Sequence, residues 1–540
     1  TTRLVGSEMC IRDRDYSETR RSLIQVSLEL TNDMEPNWQY VASKLYTYEL
    51  YEKVKKLRGI ESINDLYKNY YEFIEELTNR NLYGKYILDN YSKEDILELE
   101  KEIKPERDFI FNYSGIDLIT KRYLVQDFNR DVIELPQQMF MGIAMHLAIP
   151  EKKENRVYWA KRFYDVLSSL KATMATPTMS NARKPFYQLS SCFIDSVEDS
   201  LEGIYKSLDN FAEVSKFGGG MGIYIGKVRA LGSSIRGFKG ASGGVIPWVK
   251  LFNDTAVAVD QLGVRNGSVA IWLDAWHKDI PEFLQIRTNN GDDRKKAHDV
   301  FPGICYPDLF WKLAENDIDA DWYMMCPHEI KLVKGYSLED FYGEEWEEKY
   351  YDCVNDERID KRVMSVKDIV RLIIKSAAET GAPFAFFRDT VNDMNPNKHA
   401  GMIYSSNLCT EIMQNMSPMK IEGNKIVESE EGYSVINKII PGDFVVCNLS
   451  SVVLGNIDVC NDEEVEYVVE TQIRAMDNVI DLNYYSVPFA EITNKKYRAI
   501  GLGTSGYHHM LANNKIHWTE EKHKNFADEV YEKINYYACL

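Results

Sequence analysis

The spacing of apolar residues divides this chain into a helical first part and a mixed second part. Residues 157–167 repeat apolar side chains at i, i+3 and i+4, which predicts an amphipathic helix. Similar spacing runs through residues 17–56, with a break near 33–36, and through residues 57–184. We therefore predict a helical region that extends to residue 184.

From Pro185 onward, short β-rich runs alternate with helical runs. Residues 222–226, 268–272 and 384–387 are strand candidates, and residues 366–380 are a helix candidate between the last two. Such alternation is typical of an α/β domain with parallel strands. We find no internal repeat and no low-complexity linker.

The composition describes an ordinary globular protein with an acidic surface. The chain has 540 residues, of which 44% are hydrophobic and 27% charged, and its formal net charge is -19. Non-specific binding to nucleic acid or to a membrane surface needs a basic face, so neither is expected. We also see no apolar run of about 18 residues that would predict a membrane span. Local donors must therefore hold any anionic substrate.

The cysteines are dispersed along the chain. None has the close Cys or His spacing of a zinc site, a thioredoxin-like motif or a small disulfide scaffold. Dispersed cysteines in a large chain indicate a reducing compartment, so we expect a cytoplasmic protein. The nine cysteines stand at positions 10, 192, 305, 326, 353, 409, 447, 460 and 539.

The segment 407–411 is the most informative stretch. It places an amide, a thiol and a carboxylate at i, i+2 and i+4, in Asn407, Cys409 and Glu411. On an extended chain these three side chains point the same way, so one loop could aim a donor, a thiol and an acid/base at one ligand. The alternative is a half-buried strand with an ordinary core cysteine, since cysteine is among the most buried residue types.

Two further cysteine segments accompany this motif, and together they resemble the large catalytic subunit of class I ribonucleotide reductases. Residues 188–193 read Gln-Leu-Ser-Ser-Cys-Phe, and residues 444–451 read Phe-Val-Val-Cys-Asn-Leu-Ser-Ser. Segments 175–180, 229–237 and 263–267 follow in the family's order, and the resemblance covers roughly residues 17–540.

The resemblance implies a ten-stranded α/β barrel preceded by a helical domain, with segment 407–411 on a loop inside the barrel. The domains it implies are the end of an ATP-cone at 15–56, a helical domain at 57–184 and the catalytic barrel at 185–540. Residues 1–14 look like translated adapter sequence. Because the chain looks incomplete at both ends, we expect it to be inactive as written.

The resemblance also implies thiyl-radical reduction of ribonucleoside diphosphates to 2′-deoxyribonucleoside diphosphates. Cys409 would be the radical that takes the 3′-hydrogen, Glu411 the base for the 3′-hydroxyl, and Asn407 the group that holds both in place. Cys192 and Cys447 would supply two electrons by forming a disulfide. We therefore expect these two to face each other across the barrel, with Cys409 buried close to both and Glu411 pointing into the same cavity.

Substrate binding is less clearly marked. The glycine run at 217–222 could bring backbone N–H groups close to a phosphate, although such a run more often marks a tight turn. By resemblance, the substrate contacts include one hydroxyl before the first redox cysteine, one beside it, the glycine run and the 407–411 loop. The residues concerned are Thr176, Ser191, Cys192, Gly220, Asn407, Leu408, Cys409, Thr410 and Glu411.

A second nucleotide site is implied around residues 199–201 and 229–236. Arginine suits phosphate because its planar fork can bind two oxygens. The alternative is that Ser200 caps a helix and that the arginines are solvated surface charges. By resemblance, the specificity effector binds at Asp199, Ser200, Leu201, Arg229, Ile235 and Arg236, and Arg265 lies on the loop that relays its identity.

The cofactors and partners are implied by the resemblance alone. The radical would come from a metal-containing small β subunit, and no metal is expected in this chain. The effectors would be ATP, dATP, dTTP and dGTP, the external reductant thioredoxin or glutaredoxin, and the assembly a homodimer. A cobalamin-dependent reductase, a glycyl-radical enzyme and an inactive nucleotide-binding fragment remain alternatives.

Overall fold

The computed structural model describes residues 16–259, 267–430 and 432–540, and the chain divides into two compact units. Unit 1 takes in the described residues up to Leu189 together with Leu449–Tyr484 and Leu502–Leu540. Unit 2 takes in Ser190–Asn448 and Tyr485–Gly501. The domain boundaries expected after residues 14, 56 and 184 stay predictions.

Unit 1 is mainly helical. The helical spacing at 17–56 corresponds to two helices that are separated at the expected break, and the 157–167 pattern lies within one helix, so both predictions are confirmed. A small sheet in the order β1-β12-β13 completes the unit. Its strands are β1 (Ala172–Met174), β12 (Leu449–Val453) and β13 (Gly501–Ser505). Its helices are Tyr16–Leu30, Trp38–Leu57, Tyr70–Asn79, Tyr86–Asn90, Lys93–Glu100, Tyr113–Leu118, Pro136–Leu147, Lys153–Ser168, Thr176–Asn181, Asp462–Leu482, Tyr507–Asn513 and Lys522–Cys539.

Unit 2 is built on a six-stranded sheet in the order β11-β2-β3-β4-β5-β8. All neighbours from β2 to β8 run parallel, and only β11 runs antiparallel to its neighbour β2. The strands of this sheet are β2 (Cys192–Ser196), β3 (Gly220–Tyr224), β4 (Val269–Asp274), β5 (Val300–Tyr306), β8 (Phe384–Phe387) and β11 (Val445–Cys447). The helices of unit 2 are Leu201–Lys216, Ile246–Ala258, Ile280–Phe283, Asp308–Asn316, Pro327–Lys334, Gly343–Val354, Val366–Thr380, Arg388–Asp393 and Pro488–Tyr497.

Two antiparallel pairs lie outside the main sheet of unit 2. β6 (Asp321–Met325) pairs with β7 (Lys361–Ser365), and β9 (Lys420–Ser429) pairs with β10 (Gly432–Ile440). None of the helices in the described part of the chain is long and apolar enough to cross a membrane.

The predicted α/β class is confirmed. The three strand candidates correspond to β3, β4 and β8, and the predicted helix at 366–380 is present with the same bounds. The expected count of ten barrel strands stays a prediction.

The two faces of the main sheet bury different side chains, because successive residues of a strand point to opposite sides. On β3, Met221 and Ile223 join the large core that includes the Leu201–Lys216 and Ile246–Ala258 helices. Tyr224 joins a smaller cluster on the opposite face, together with Tyr404 and Leu408. This second face is the one that carries the candidate site.

Candidate active site

Cys192 and Cys447 lie side by side in the main sheet. Cys192 begins β2, Cys447 ends β11, and the two are direct partners in the antiparallel register. Such partners have Cα atoms about 4.5–5.5 Å apart, within the range that a disulfide can bridge. The prediction that they face each other is confirmed, but on adjacent strands rather than across a barrel. We call Cys192 and Cys447 the thiol pair.

A buried amide network fixes the end of β11 beside the thiol pair. Asn448 follows Cys447, and its Oδ1 accepts a hydrogen bond from Ser190 Oγ at 2.9 Å. Its Nδ2 donates to Asn494 Oδ1 at 2.8 Å and to the Ala499 carbonyl at 2.9 Å. Because Asn448 is only 2% exposed, these bonds are shielded from water and hold the strand end firmly.

The two thiols of the pair have opposite pKa shifts. The Cys447 thiol lowers the pKa of Cys192 to about 7, burial opposes this, and the Asn407 amide and the Ser191 hydroxyl add to the lowering. Burial raises the pKa of Cys447 well above its usual range, and its Cys192 neighbour raises it further. Cys192 is therefore the thiol that ionises near neutral pH, and Cys447 stays protonated.

The 407–411 loop rests on the glycines of β3. A Cβ added to Gly222 would lie 2.2 Å from the Ser406 carbonyl oxygen and 2.8 Å from the Asn407 Cα atom. A Cβ added to Gly220 would lie 2.8 Å from Leu408 Cδ2. Real Cβ atoms do not approach a backbone this closely, so Gly222 must be glycine for the loop to sit where it does, whereas a Cβ at Gly220 would require only that the end of the Leu408 side chain shift.

The loop then reverses direction at a tight turn that Asn407 holds. The Asn407 Oδ1 atom accepts the backbone N–H groups of Glu411 and Ile412, each at 3.1 Å. Thr410 takes a positive φ of 70°. A β-branched residue rarely adopts this conformation outside a turn. The expectation of an extended segment with a buried thiol is therefore wrong: residues 408–410 form a turn, and Cys409 is exposed.

The turn still brings the loop to the thiol pair. Gly220 is the β3 partner of Cys192, and Leu408 packs on Gly220, so Cys409 is one residue from a side chain that lies beside Cys192. Negative charge on Glu411 opposes the lowering of the Cys192 pKa and adds to the raising of the Cys447 pKa, to which charge on Cys409 also contributes. Glu411 is exposed, not enclosed in a cavity. The residues predicted to share one site thus lie within electrostatic range of one another.

The glycine run does not form a free anion cradle. The N–H groups of Gly218, Gly219 and Gly220 donate to the carbonyls of Ser215, Val214 and Ser191, respectively. The run ends the preceding helix and starts β3, which is the tight-turn alternative. Gly220 instead has a packing role, because the absence of a side chain there makes room for Leu408 of the loop.

The predicted substrate residues fall in both units. Ser191 is buried beside Cys192 in unit 2. Thr176 begins the Thr176–Asn181 helix of unit 1, so it is described within that unit alone. Their contacts with a substrate stay predictions.

In the candidate effector segment, Arg229 and Asp199 form a salt bridge. Arg229 Nε donates to both carboxylate oxygens of Asp199, at 3.1 and 3.0 Å, and its Nη1 donates to the Ser234 carbonyl at 2.6 Å. His328 Nδ1 lies 3.4 Å from Asp199. Burial and then the Arg229 charge lower the pKa of His328, so this imidazole is neutral at pH 7.

The remaining effector candidates are at the surface. Ser200 caps the Leu201–Lys216 helix by accepting the Gly203 N–H at 3.0 Å, which agrees with the alternative that Ser200 has a structural role. Leu201 and Ile235 are exposed, as is Arg236, which takes a positive φ of 51°. Arg265 lies outside the described residues.

Sequence reasoning missed two residues that hold the loop. Gly222 carries the closest backbone contact, and the signal was available, because glycines at alternate positions of one strand indicate a close approach on one face. Tyr404, three residues before Asn407, stacks on Tyr224 of β3 with ring centroids 5.2 Å apart. No local pattern distinguishes it among the 34 tyrosines of this chain.

Comparisons with known proteins identify the family. Residues 190–540 match a family model described as "Ribonucleotide reductase, barrel domain". The chain belongs to the ribonucleotide reductase family. A second ribonucleotide reductase model, described as "all-alpha domain", matches residues 109–187. The resemblance drawn from the cysteine motifs is therefore confirmed.

Curated ribonucleotide reductases from bacteria and a virus match nearly the whole chain. A ribonucleoside-diphosphate reductase subunit alpha of Treponema pallidum is 55% identical over 98% of the chain. The Helicobacter pylori subunit alpha, strain 26695, is 40% identical over 99% of the chain, and the Monkeypox virus large subunit 33% identical over 87%. The chain spans 63%, 69% and 56% of these three relatives, respectively.

The shifted pKa of Cys192 predicts how the thiol pair oxidises. Thiolate is the reactive form in disulfide exchange, and a group with a lowered pKa ionises at lower pH. The rate at which a disulfide reagent such as oxidised dithiothreitol closes the pair should therefore rise through pH of about 7, not near an ordinary thiol value. Peptide mapping should show the Cys192–Cys447 bond. Cys305 is the control, because burial raises its pKa and it should stay reduced. A rise centred near pH 9 would contradict the assignment.

The close contact on β3 predicts that Gly222→Ala displaces the loop. The added methyl group would meet the loop backbone, which cannot yield as a flexible side chain would. We expect a loss of about 1–3 kcal/mol in the free energy of unfolding, measured with urea. Gly503→Ala is the control, because its nearest contact would be a comfortable 3.7 Å. Equal stability of the two variants would show that the loop does not rest on β3.

Proposed function

We propose that this chain carries the catalytic machinery of a ribonucleoside-diphosphate reductase. The observation that supports this most strongly is the convergence of three thiols, an amide and a carboxylate on one face of the sheet. Cys192 and Cys447 are register partners, and the loop of Cys409 packs on the glycine next to Cys192. An ordinary core would not bring three thiols and a carboxylate together in this way.

The reaction begins at Cys409. A thiyl radical on this sulfur takes the 3′-hydrogen of the ribose, which weakens the neighbouring C2′–O bond. Glu411 accepts the 3′-hydroxyl proton as the radical forms, a general-base role that needs hydrogen-bond reach. The exposed positions of Cys409 and Glu411 leave both groups open to a substrate.

The thiol pair then supplies the reducing equivalents. The 2′-hydroxyl leaves as water, two thiols become one disulfide, and C2′ gains a hydrogen. Cys409 returns its hydrogen to C3′ and is a thiyl radical again. The net change is one ribonucleotide and two thiols converted to one deoxyribonucleotide, one disulfide and one water.

Asn407 has two parts in this scheme. Its Oδ1 holds the turn, while its Nδ2 is buried and makes no hydrogen bond of ordinary geometry to a described residue. The amide also lowers the pKa of the Cys192 thiol, and a ligand oxygen that accepts from Nδ2 would satisfy this buried donor better than that sulfur does. A substrate hydroxyl is such an acceptor.

The partners follow from the same proposal. A small subunit with a metal centre generates the radical, thioredoxin or glutaredoxin reduces the thiol pair, and the large subunit works as a homodimer in the cytoplasm. ATP, dATP, dTTP and dGTP act as effectors, with the specificity site at Asp199, Ser200, Leu201, Arg229, Ile235 and Arg236. Arg265 belongs to the relay between that site and the substrate.

The thiyl role predicts that Cys409→Ser abolishes reduction. A serine O–H bond is far stronger than a thiol S–H bond, so the radical cannot form there at a useful rate. The assay measures deoxycytidine diphosphate formed from cytidine diphosphate with a cognate small subunit, ATP and dithiothreitol. It uses a protein extended to the length of its relatives, because the chain as written is expected to be inactive. Cys460→Ser is the control, since Cys460 is also exposed but lies in unit 1.

Two results would contradict this proposal. Normal turnover by the Cys409→Ser variant would exclude the thiyl role. An extended wild-type protein that binds the nucleotide by calorimetry but forms no product would favour the nucleotide-binding alternative.

The effector assignment predicts that Arg229→Ala weakens binding of a deoxynucleoside triphosphate. Losing a charge-assisted hydrogen bond costs about 1.5–3 kcal/mol, which is roughly tenfold or more in affinity. Calorimetry with dTTP provides the measurement. Arg294→Ala is the control, because Arg294 is an exposed arginine of the same unit whose side chain pairs, among the described residues, with Asp292 alone. Unchanged affinity in the Arg229 variant would favour a structural role for its salt bridge with Asp199.

A further inference from the structure

The segment 404–408 runs over the face of β3 in a fixed register. Tyr404 stacks on Tyr224, the Ser406 carbonyl lies over Gly222, and Leu408 lies over Gly220. Each step of two residues back along β3 is thus matched by two residues forward along the segment. The segment is not a strand of the sheet, so no ladder of backbone hydrogen bonds sets this register.

The two glycines allow this register but cannot select it. A glycine offers no side chain that distinguishes one neighbour from another, and a backbone sliding over glycine meets no barrier of shape. A shift by two residues would keep the same faces in contact. It would also move Cys409 away from the thiol pair, so something else must fix the alignment.

Tyr404 makes the side-chain contacts that can fix it. Its ring stacks on Tyr224 with an angle of 20° between the planes, and the Lys227 ammonium lies 4.2 Å from the ring centroid. Its hydroxyl donates to Asp340 Oδ1 at 2.6 Å, and Lys227 Nζ lies 2.7 Å from the same oxygen. The Cys305 thiol donates to the Tyr404 carbonyl at 3.2 Å. Tyr404 is thus held on several sides.

The partner ring is equally immobile. The Tyr224 hydroxyl donates to Asp274, and Arg388 forms a salt bridge with the other oxygen of the same carboxylate. All three side chains are almost completely buried. Tyr224 is therefore a rigid part of the sheet against which a second ring can be aligned.

We infer that Tyr404 is a positioning residue, which sets the register of the 404–411 segment on β3 and thereby the place of Cys409 beside Cys192 and Cys447. The inference about the register stands on the contacts of Tyr404. It rests on the proposed function only for the catalytic importance of Cys409. Tyr404 touches no reacting atom, and it acts through the chain that connects it to the loop.

The test compares Tyr404→Leu with Tyr404→Phe by hydrogen exchange and mass spectrometry. Leucine removes the stacked ring, so the peptide that contains the Glu411 and Ile412 amides should exchange about tenfold faster, because the turn opens more often. Phenylalanine keeps the ring and should restore most of the protection. The rate of Cys409 alkylation by iodoacetamide should change in the leucine variant and return towards wild type in the phenylalanine variant.

Tyr306→Leu is the matched control. Tyr306 is a buried tyrosine at the end of β5 in the same unit, and it packs on Phe310 and Trp311 away from the loop. It should lower the melting temperature without changing exchange at the loop. If Tyr404→Leu does not fold, Asp340→Ala serves instead, since it removes the acceptor of the Tyr404 hydroxyl and should raise loop exchange about threefold.

Wild-type protection of the loop in Tyr404→Leu or, where that variant does not fold, in Asp340→Ala would overturn the inference. Equal loss of protection in the Tyr306→Leu control would also overturn it. No nucleotide is present in these measurements. Their failure would therefore leave the proposed reduction untouched, and a failure of the reduction assay would leave the register measurement standing.

Discussion

The absence of two side chains on β3 is the constraint on which the candidate site depends. Gly222 lets the backbone of residues 406 and 407 come within van der Waals contact of the sheet, and a Cβ there would push it away, while Gly220 leaves room for the Leu408 side chain. The loop reaches the thiol pair without pairing as a strand, because Gly220, on which it packs, is the register partner of Cys192. The glycines thus act through the space that they leave open.

The thiol pair shows how one register can produce two unlike sulfurs. Both cysteines are buried and adjacent, yet the pKa of one is lowered to about 7 and that of the other is raised. The Cys447 thiol, and after it the Asn407 amide and the Ser191 hydroxyl, stabilise a thiolate at Cys192, whereas burial dominates at Cys447. A dithiol with one ready nucleophile and one retained proton is suited to exchange reactions.

The sequence was sufficient for the α/β class and for several elements, because amphipathic spacing is a local property. The helix Val366–Thr380 is the clearest case, with Ser365 as its cap and Gly381 at its end. The cysteine motifs also identified the family. Through that resemblance they predicted that Cys192 and Cys447 form a pair, and the strand register places the two side by side.

The loop itself was beyond sequence reasoning. Alternate polar residues at 407, 409 and 411 indicated an extended segment, but the Asn407 side chain captures two later N–H groups and bends the chain instead. The glycine run is not a phosphate cradle because its N–H groups are already bound, two to the last turn of the preceding helix and one to the Ser191 carbonyl. The stack of Tyr404 on Tyr224 joins segments that are far apart in sequence, which local spacing does not report.

The cross-strand position of the thiol pair links redox state to the stability of the whole fold. A bond between residues 192 and 447 would close a loop of roughly 250 residues, which in the chain-entropy account destabilises the unfolded chain by about 5 kcal/mol. The folded state would barely change, because the sheet already holds the two Cα atoms at a separation that a disulfide can bridge. The reduced protein would then have the lower free energy of unfolding. Each reduction by an external thiol would therefore lower the stability of the fold while it restores the two thiols.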